Sequence, residues 1–201
     1  CPYIIAEELI DVEYDEATRT FNVAANNAGQ LKEAIKEANA KKGNVTIYLP
    51  NCTYDLGTDI NTEVKADNIA IIGESRDGVI IKNAPAVEGL LTSATLKNVS
   101  TGLYLQDLTI QCNAPYNYST TAERGVALWD KGTLTICKNV YLKGKQDTYY
   151  SNGAEGMKAY FEGGIIEGAV DFVCGSGNVL FNSVTFNIVK GTNAGNVIAA
   201  P

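Results

Sequence analysis

Two aspartates carry the chemistry this sequence offers. Asp171 sits in the run AVDFVCGSG (Ala169–Gly177), which otherwise reads as a buried strand. A carboxylate there is costly unless something pairs with it or uses it. Asp147 follows Gln146 in the polar stretch YLKGKQDTYYSNG and is flanked by Tyr149 and Tyr150. The two aspartates are 24 residues apart (171 − 147). If that spacing is one coil of a solenoid, they stack about 4.8 Å apart, the distance between neighbouring strands. At about 5 Å and an effective dielectric of about 20, two like charges repel by about 3 kcal/mol, roughly two pK units. One of the pair should then keep its proton while the other stays charged. A proton donor beside a charged oxygen nucleophile is a catalytic pair. It is also the pair that this chain needs, because it contains no histidine. That absence removes Ser-His-Asp and Cys-His triads and the usual His-rich zinc sites.

The elements that would position the pair can be read from the pattern around it. The chain has 201 residues, 45% hydrophobic and 19% charged, as expected of one good-sized globular domain. The net charge of −7 disfavours nucleic acid and anionic membrane surfaces as partners, and no apolar run is long enough for a membrane-spanning segment. The five cysteines (Cys1, Cys52, Cys112, Cys137, Cys174) show no CxxC spacing and read as scattered core residues, with one disulfide among them an open alternative. The sequence begins at Cys1, and the boundary of an excised piece or a lipid-modified mature N-terminus would each account for that start.

Residues 1–25 give two short strand-like runs around Asp15-Glu16, with the end of a preceding module as one reading. Next comes one amphipathic helix, with Asn27 as N-cap, Leu31, Ala34, Ile35 and Ala38 at helical spacing, and Gly43 as the stop. Everything after it is strand and turn. Four hexads resemble one another: LQDLTI (105–110), CKNVYL (137–142), EGGIIE (162–167) and FNSVTF (181–186). Their third residues, Asp107, Asn139, Gly164 and Ser183, are 32, 25 and 19 residues apart (139 − 107, 164 − 139, 183 − 164). Such self-similarity in an all-strand chain marks a parallel β-helix over residues 26–201, with the helix capping its N-terminal end. A two-sheet sandwich would need hairpin signals every 8–12 residues or so, and the sequence has few.

These motifs resemble the pectin methylesterase family. GKQDTYY is similar to its Gln-Asp-Thr motif and GAVDFVCG to its Gly-Thr-Val-Asp-Phe-Ile-Phe-Gly motif, in the same order and at the same separation. IAIIGESRDGVII (69–81), LYLQDLTIQ, RGVAL (124–128) and the early EAI helix resemble further segments, so the likeness covers roughly residues 25–201. The resemblance implies a right-handed parallel β-helix (a single-stranded solenoid) that hydrolyses the methyl esters of galacturonate in pectin (homogalacturonan), releasing methanol without metal or cofactor. It implies Asp171 as nucleophile, Asp147 as acid and then base, and Gln146 as oxyanion donor. Arg124 stands where the family has Gln and is expected to donate to the oxyanion, grip a neighbouring carboxylate or make a surface ion pair. Tyr150 and Phe172 are expected to line the sugar groove, with simple packing as the alternative. The family's Gly-x-Tyr-x-Glu segment is reduced to CTYDL (52–56), and its later Leu-Gly-Arg-Pro-Trp motif, whose arginine orients the nucleophile, does not occur before Pro201. The C-terminus is therefore expected to be incomplete, or the enzyme impaired. The resemblance also implies a secreted, periplasmic or cell-surface protein, and oligomeric state is left open. Two other functions stay open on the same fold. One is a pectate lyase-like eliminase, needing a calcium cage for which only Glu155, Glu162 and Glu167 are near. The other is a non-catalytic glycan-binding solenoid.

Overall fold

A computed structural model describes residues 10–115, 124–153, 155–190 and 196–201. Strands β1 (Glu13–Asp15) and β2 (Thr20–Asn22) form an antiparallel hairpin, followed by helix α1 (Ala28–Ala40). Six coils of three strands come next. They are β3 (Val45–Leu49), β4 (Cys52–Asp55) and β5 (Thr62–Val64); β6 (Ile69–Gly73), β7 (Val79–Asn83) and β8 (Leu96–Asn98); β9 (Thr101–Gln106), β10 (Thr109–Cys112) and β11 (Leu128–Asp130); β12 (Leu134–Lys138), β13 (Tyr141–Lys143) and β14 (Tyr149–Ser151); β15 (Lys158–Glu162), β16 (Ile165–Gly168) and β17 (Val170–Gly175); and β18 (Asn178–Asn182), β19 (Thr185–Ile188) and β20 (Val197–Ala200). Equivalent strands of successive coils stack in parallel. The first strands join the hairpin in an eight-stranded sheet, and the second and third strands form a six-stranded sheet each. The result is a right-handed parallel β-helix, the handedness that parallel crossovers take.

Period-two alternation builds the core. In VTIYL, Val45, Ile47 and Leu49 point inward and are buried. The parallel register stacks equivalent residues into columns, such as Ile47–Ile71–Leu105–Cys137–Phe161–Phe181. Asn27 caps α1 by accepting a hydrogen bond from the Gln30 amide at 2.9 Å, and Leu31, Ala34, Ile35 and Ala38 are buried against the first coil. That closes the N-terminal end of the stack. Asn39, in the helix's last turn, ties it to the coil by donating to the Glu63 carbonyl and accepting from the Lys65 and Ala66 amides.

The long apolar runs of the sequence are each two strands, divided at the repeated third residue. Asp107, Asn139, Gly164 and Ser183 all take left-handed backbone (φ 52°, 50°, 80° and 57°). One left-handed residue turns the chain sharply from the first sheet to the second, and Asp, Asn and Gly tolerate it best. Asn139 Nδ2 donates to Asp107 Oδ1 at 2.7 Å across one coil. At Gly164 a Cβ would sit 2.2 Å from the Val140 carbonyl oxygen, so no other residue fits without a shift. Four of the cysteines, Cys52, Cys112, Cys137 and Cys174, are free thiols, and Cys1 lies outside the described residues.

Candidate active site

The third sheet carries the site. Gln146 bridges Arg124 on one side and Val170 on the other, and beyond it Tyr149, Tyr150 and Ser151 pair with Val173, Cys174 and Gly175. Every one of these pairs across β14 and β17 is offset by 24 residues, the separation of the two aspartates, so Asp147 and Asp171 occupy equivalent corners of neighbouring coils. Both are left-handed, with φ of 59° and 47°. The corner ends the straight pleat: Phe172 and Val173, consecutive residues, both turn to the core, and the pairing of β17 with β20 slips between Val170 and Val173. Gly168 makes room, since a Cβ there would lie 2.1 Å from Phe172 Cβ.

A cavity of about 330 Å³ opens beside the pair, lined among others by Leu90, Asp147, Tyr150, Asn152, Asp171 and Cys174. Asp147 is only 7% exposed. Burial is the main cause that pushes its carboxyl up to about 6; the neighbouring charges of Asp171 and Glu88 push the same way, against the Cys174 thiol and the Arg124 charge. Asp171 is half-buried and faces the same cavity. The arrangement therefore offers a carboxyl that holds a proton to higher pH than usual beside a more accessible carboxylate. Tyr150 stacks on Trp129, ring centroids 5.9 Å apart, and Lys97 Nζ lies 4.8 Å from the Trp129 ring. A larger hollow of about 730 Å³ lies between α1 and residues 58–65, but its charges pair with one another (Lys32 with Asp59, Lys65 with Glu63).

Five of the six residues singled out from sequence meet in this region: Asp147, Asp171, Gln146, Tyr150 and Arg124. Phe172 does not line a groove. It is fully buried, 6.4 Å from the Phe186 ring, because the left-handed turn at Asp171 aims it inward. Arg124 grips Glu88 by two bonds of 2.7 and 2.9 Å. Its charge reaches Asp147, while the chain's other two arginines bind elsewhere, Arg19 to the Gly43 and Asn44 carbonyls and Arg76 to Asp77 and Asn139. Glu155, Glu162 and Glu167 do not converge, since Glu162 ends a strand of the first sheet, Glu167 lies in the second, and Glu155 stands in an exposed turn. Among the described residues no group of three or more His, Cys, Asp or Glu side chains is placed to hold a metal ion. Sequence reasoning missed Glu88, Leu90, Trp129 and Cys174. Trp129 was within reach of it, because it lies one coil before Tyr150 in direct register.

The Pectinesterase family model matches residues 21–200. Pectinesterase 2.1 of Solanum lycopersicum is 31% identical over 156 residues, covering 75% of this chain and 26% of that protein. Pectinesterase 2 of Citrus sinensis is 29% identical over 186 residues, covering 89% and 34%. Among solved structures, the pectin methylesterase PemA from Erwinia chrysanthemi superposes with a TM-score of 0.63 at 26% identity, over 76% of this chain and 50% of that one. A pectin methylesterase in complex with a hexasaccharide gives a TM-score of 0.68 at 25% identity, over 87% and 55%. The chain thus spans a quarter to a third of the length of these curated relatives and about half of these solved chains.

Proposed function

The chain belongs to the pectinesterase family, and from that premise we propose that it removes methyl esters from the galacturonate units of pectin by a two-aspartate mechanism. The observation that carries this reading is the buried, proton-retaining Asp147 stacked one coil from the accessible Asp171 in a shared cavity. The Asp171 carboxylate attacks the ester carbonyl carbon, and its electron pair moves to the carbonyl oxygen. The Gln146 side chain, on the rung between Arg124 and Val170, donates to that oxyanion. Collapse of the adduct breaks the bond to the methoxy oxygen, which takes the Asp147 proton and leaves as methanol. The remaining acyl link on Asp171 is opened by water. Asp147, now ionised, takes one proton of the water; the hydroxyl stays on the product carbon as the bond to Asp171 breaks, Asp171 is restored as carboxylate, and the product acid gives its remaining proton to solvent and departs ionised. Tyr150, stacked on Trp129, offers a flat surface for a sugar ring. Highly esterified pectin is nearly neutral and is not repelled by a chain of charge −7, whereas the de-esterified product is. A pectin substrate places the protein outside the cell, secreted, periplasmic or at the cell surface. No helix among the described residues is long and apolar enough to cross a membrane.

The test is methanol release from highly esterified pectin by the chain and by its Asp171→Ala variant. Release by the first and none by the second supports the mechanism. Full activity of the variant overturns it. Calcium-dependent unsaturated ends without methanol would indicate an eliminase instead, and pectin binding unchanged by Asp171→Asn, without methanol, would indicate a glycan-binding solenoid.

A further inference from the structure

The chain carries 23 acidic and 16 basic side chains, yet three of its lysines gather around one glutamate. Lys143, Lys145 and Lys190 line a hollow of about 300 Å³ together with Gln111, Asn113 and Glu167. The repeat builds its floor. Gln111, Lys143, Glu167 and Asn187 are in direct register on β10, β13, β16 and β19, and they form one ladder on the outer face of the second sheet. Lys143 Nζ stands over the Tyr141 ring, 5.1 Å from its centroid. Glu167 does not neutralise it. The Glu167 carboxylate accepts instead from the Tyr141 hydroxyl and from Asn187 Nδ2, both uncharged donors. Among the described residues neither Lys143 nor Lys190 makes an ion pair, whereas Lys32, Lys36, Lys41, Lys65, Lys82 and Lys97 each make one. The hollow is therefore a positive spot on a negative chain. It lies next to the catalytic pair: Lys145 stands two residues before Asp147, at most about 7 Å along the backbone. The Lys145 carbonyl fixes that step by accepting from the Ala169 and Val170 amides at 2.6 and 3.2 Å.

We propose that this hollow is a second carbohydrate-binding site, which takes the carboxylates of galacturonate units already de-esterified. The inference rests on the pectinesterase reading of the neighbouring site, because that reaction makes such units on the same polymer. A methyl ester is neutral and gives the lysines nothing to pair with, whereas each ester removed leaves one negative charge. The net charge of −7 repels the product as a whole. Salt screens that repulsion beyond about 8 Å, while a carboxylate seated among the lysines meets opposite charges at contact distance. An ammonium group offers three donors on a flexible stem, so it accepts carboxylates in varied orientations. A volume of about 300 Å³ is at the lower end for a small-ligand site. The closeness of the hollow to Asp147 lets one polymer chain span both. A de-esterified stretch held by the lysines then keeps the esterified units beside it near Asp171.

The experiment measures, by calorimetry, the binding of an unesterified galacturonate hexamer to the native chain and to variants at Lys143 and Lys190. Lys143→Gln and Lys190→Gln should each weaken binding about 2–5-fold, and the two together about tenfold. Salt at about 1 M should erase the difference between native chain and variants. The double variant with arginine at both positions keeps the charges and should bind as the native chain does. The fully methyl-esterified hexamer brings no charge to the hollow, so kcat and KM for methanol release from it should be the same in the native chain and the double Gln variant. Unchanged affinity for the unesterified hexamer in the double Gln variant, or an equal loss in the arginine variant, would overturn the proposal. Dextran sulfate, bound as tightly and with the same dependence on both lysines, would show a general polyanion patch and overturn the uronate assignment. If the native chain releases no methanol, the esterase reading fails, and lysine-dependent binding of the unesterified hexamer still decides what the hollow takes.

Discussion

Replacing Asp147 with asparagine should abolish methanol release and at the same time stabilise the fold at neutral pH. The carboxyl titrates at about 6 rather than 3.8, chiefly because it is buried. That rise of roughly two pK units, at about 1.36 kcal/mol each, makes the ionised form cost about 3 kcal/mol. Water entering the cavity relaxes part of this, so the uncharged amide should gain about 1–3 kcal/mol where Asp147 is charged. The folded-state value is raised, so the favourable contribution of this group is complete below about pH 4 and is lost as pH climbs through about 6. The amide of the variant does not titrate and escapes that loss. Urea unfolding of both chains should therefore show a higher midpoint for Asp147→Asn at pH 7.5 and no advantage at pH 4. A gain of the same size at both pH values, or none at either, would refute the reasoning. The carboxyl would then not be destabilised by its surroundings, and its role as a proton reservoir would lose its physical basis.

Two further substitutions separate the surface of the site from its frame. Tyr150→Ala should raise KM several-fold with kcat retained and cost about 1 kcal/mol of stability from the lost stack on Trp129. Phe172→Ala should cost about 3–5 kcal/mol in urea unfolding, because that ring is wholly buried, and a KM effect at unchanged stability would contradict its core placement. Gly164→Ala forces a side chain into left-handed backbone and against the Val140 carbonyl, and should lower stability by about 2 kcal/mol or more. An unchanged urea midpoint there would contradict the corner geometry.

Local rules made much of the fold legible. Asn27 and the Leu31, Ala34, Ile35 and Ala38 stripe specify the capping helix through one side-chain bond and a 3.6-residue period. Asp107, Asn139, Gly164 and Ser183 announce the corners because few residue types accept left-handed backbone, and their spacing is the length of a coil. The third sheet was hidden by contrast. Strands β5, β8, β11 and β14 are three residues long, and three of them, β8, β11 and β14, turn polar residues inward: Asn98 and Asp130, which hydrogen-bond each other, and Ser151 in register with them. Too few residues alternate there to give a period, and buried polar residues invert the expected one.

By itself the sequence determined the solenoid and the pairing of Asp147 with Asp171, because both follow from spacing along the chain. Only the tertiary structure decided which way their neighbours face. Alternation counted outward from Asp171 would put Val173 outside and Cys174 in the core. The left-handed corner spends two consecutive residues, Phe172 and Val173, on the interior, and this brings Cys174 out to the cavity that Asp147 lines. The same holds for Arg124, whose partner Glu88 comes from the preceding coil. A one-residue irregularity reverses every side chain after it, and contacts between coils depend on where separate loops end. Neither is written in a local pattern of residues.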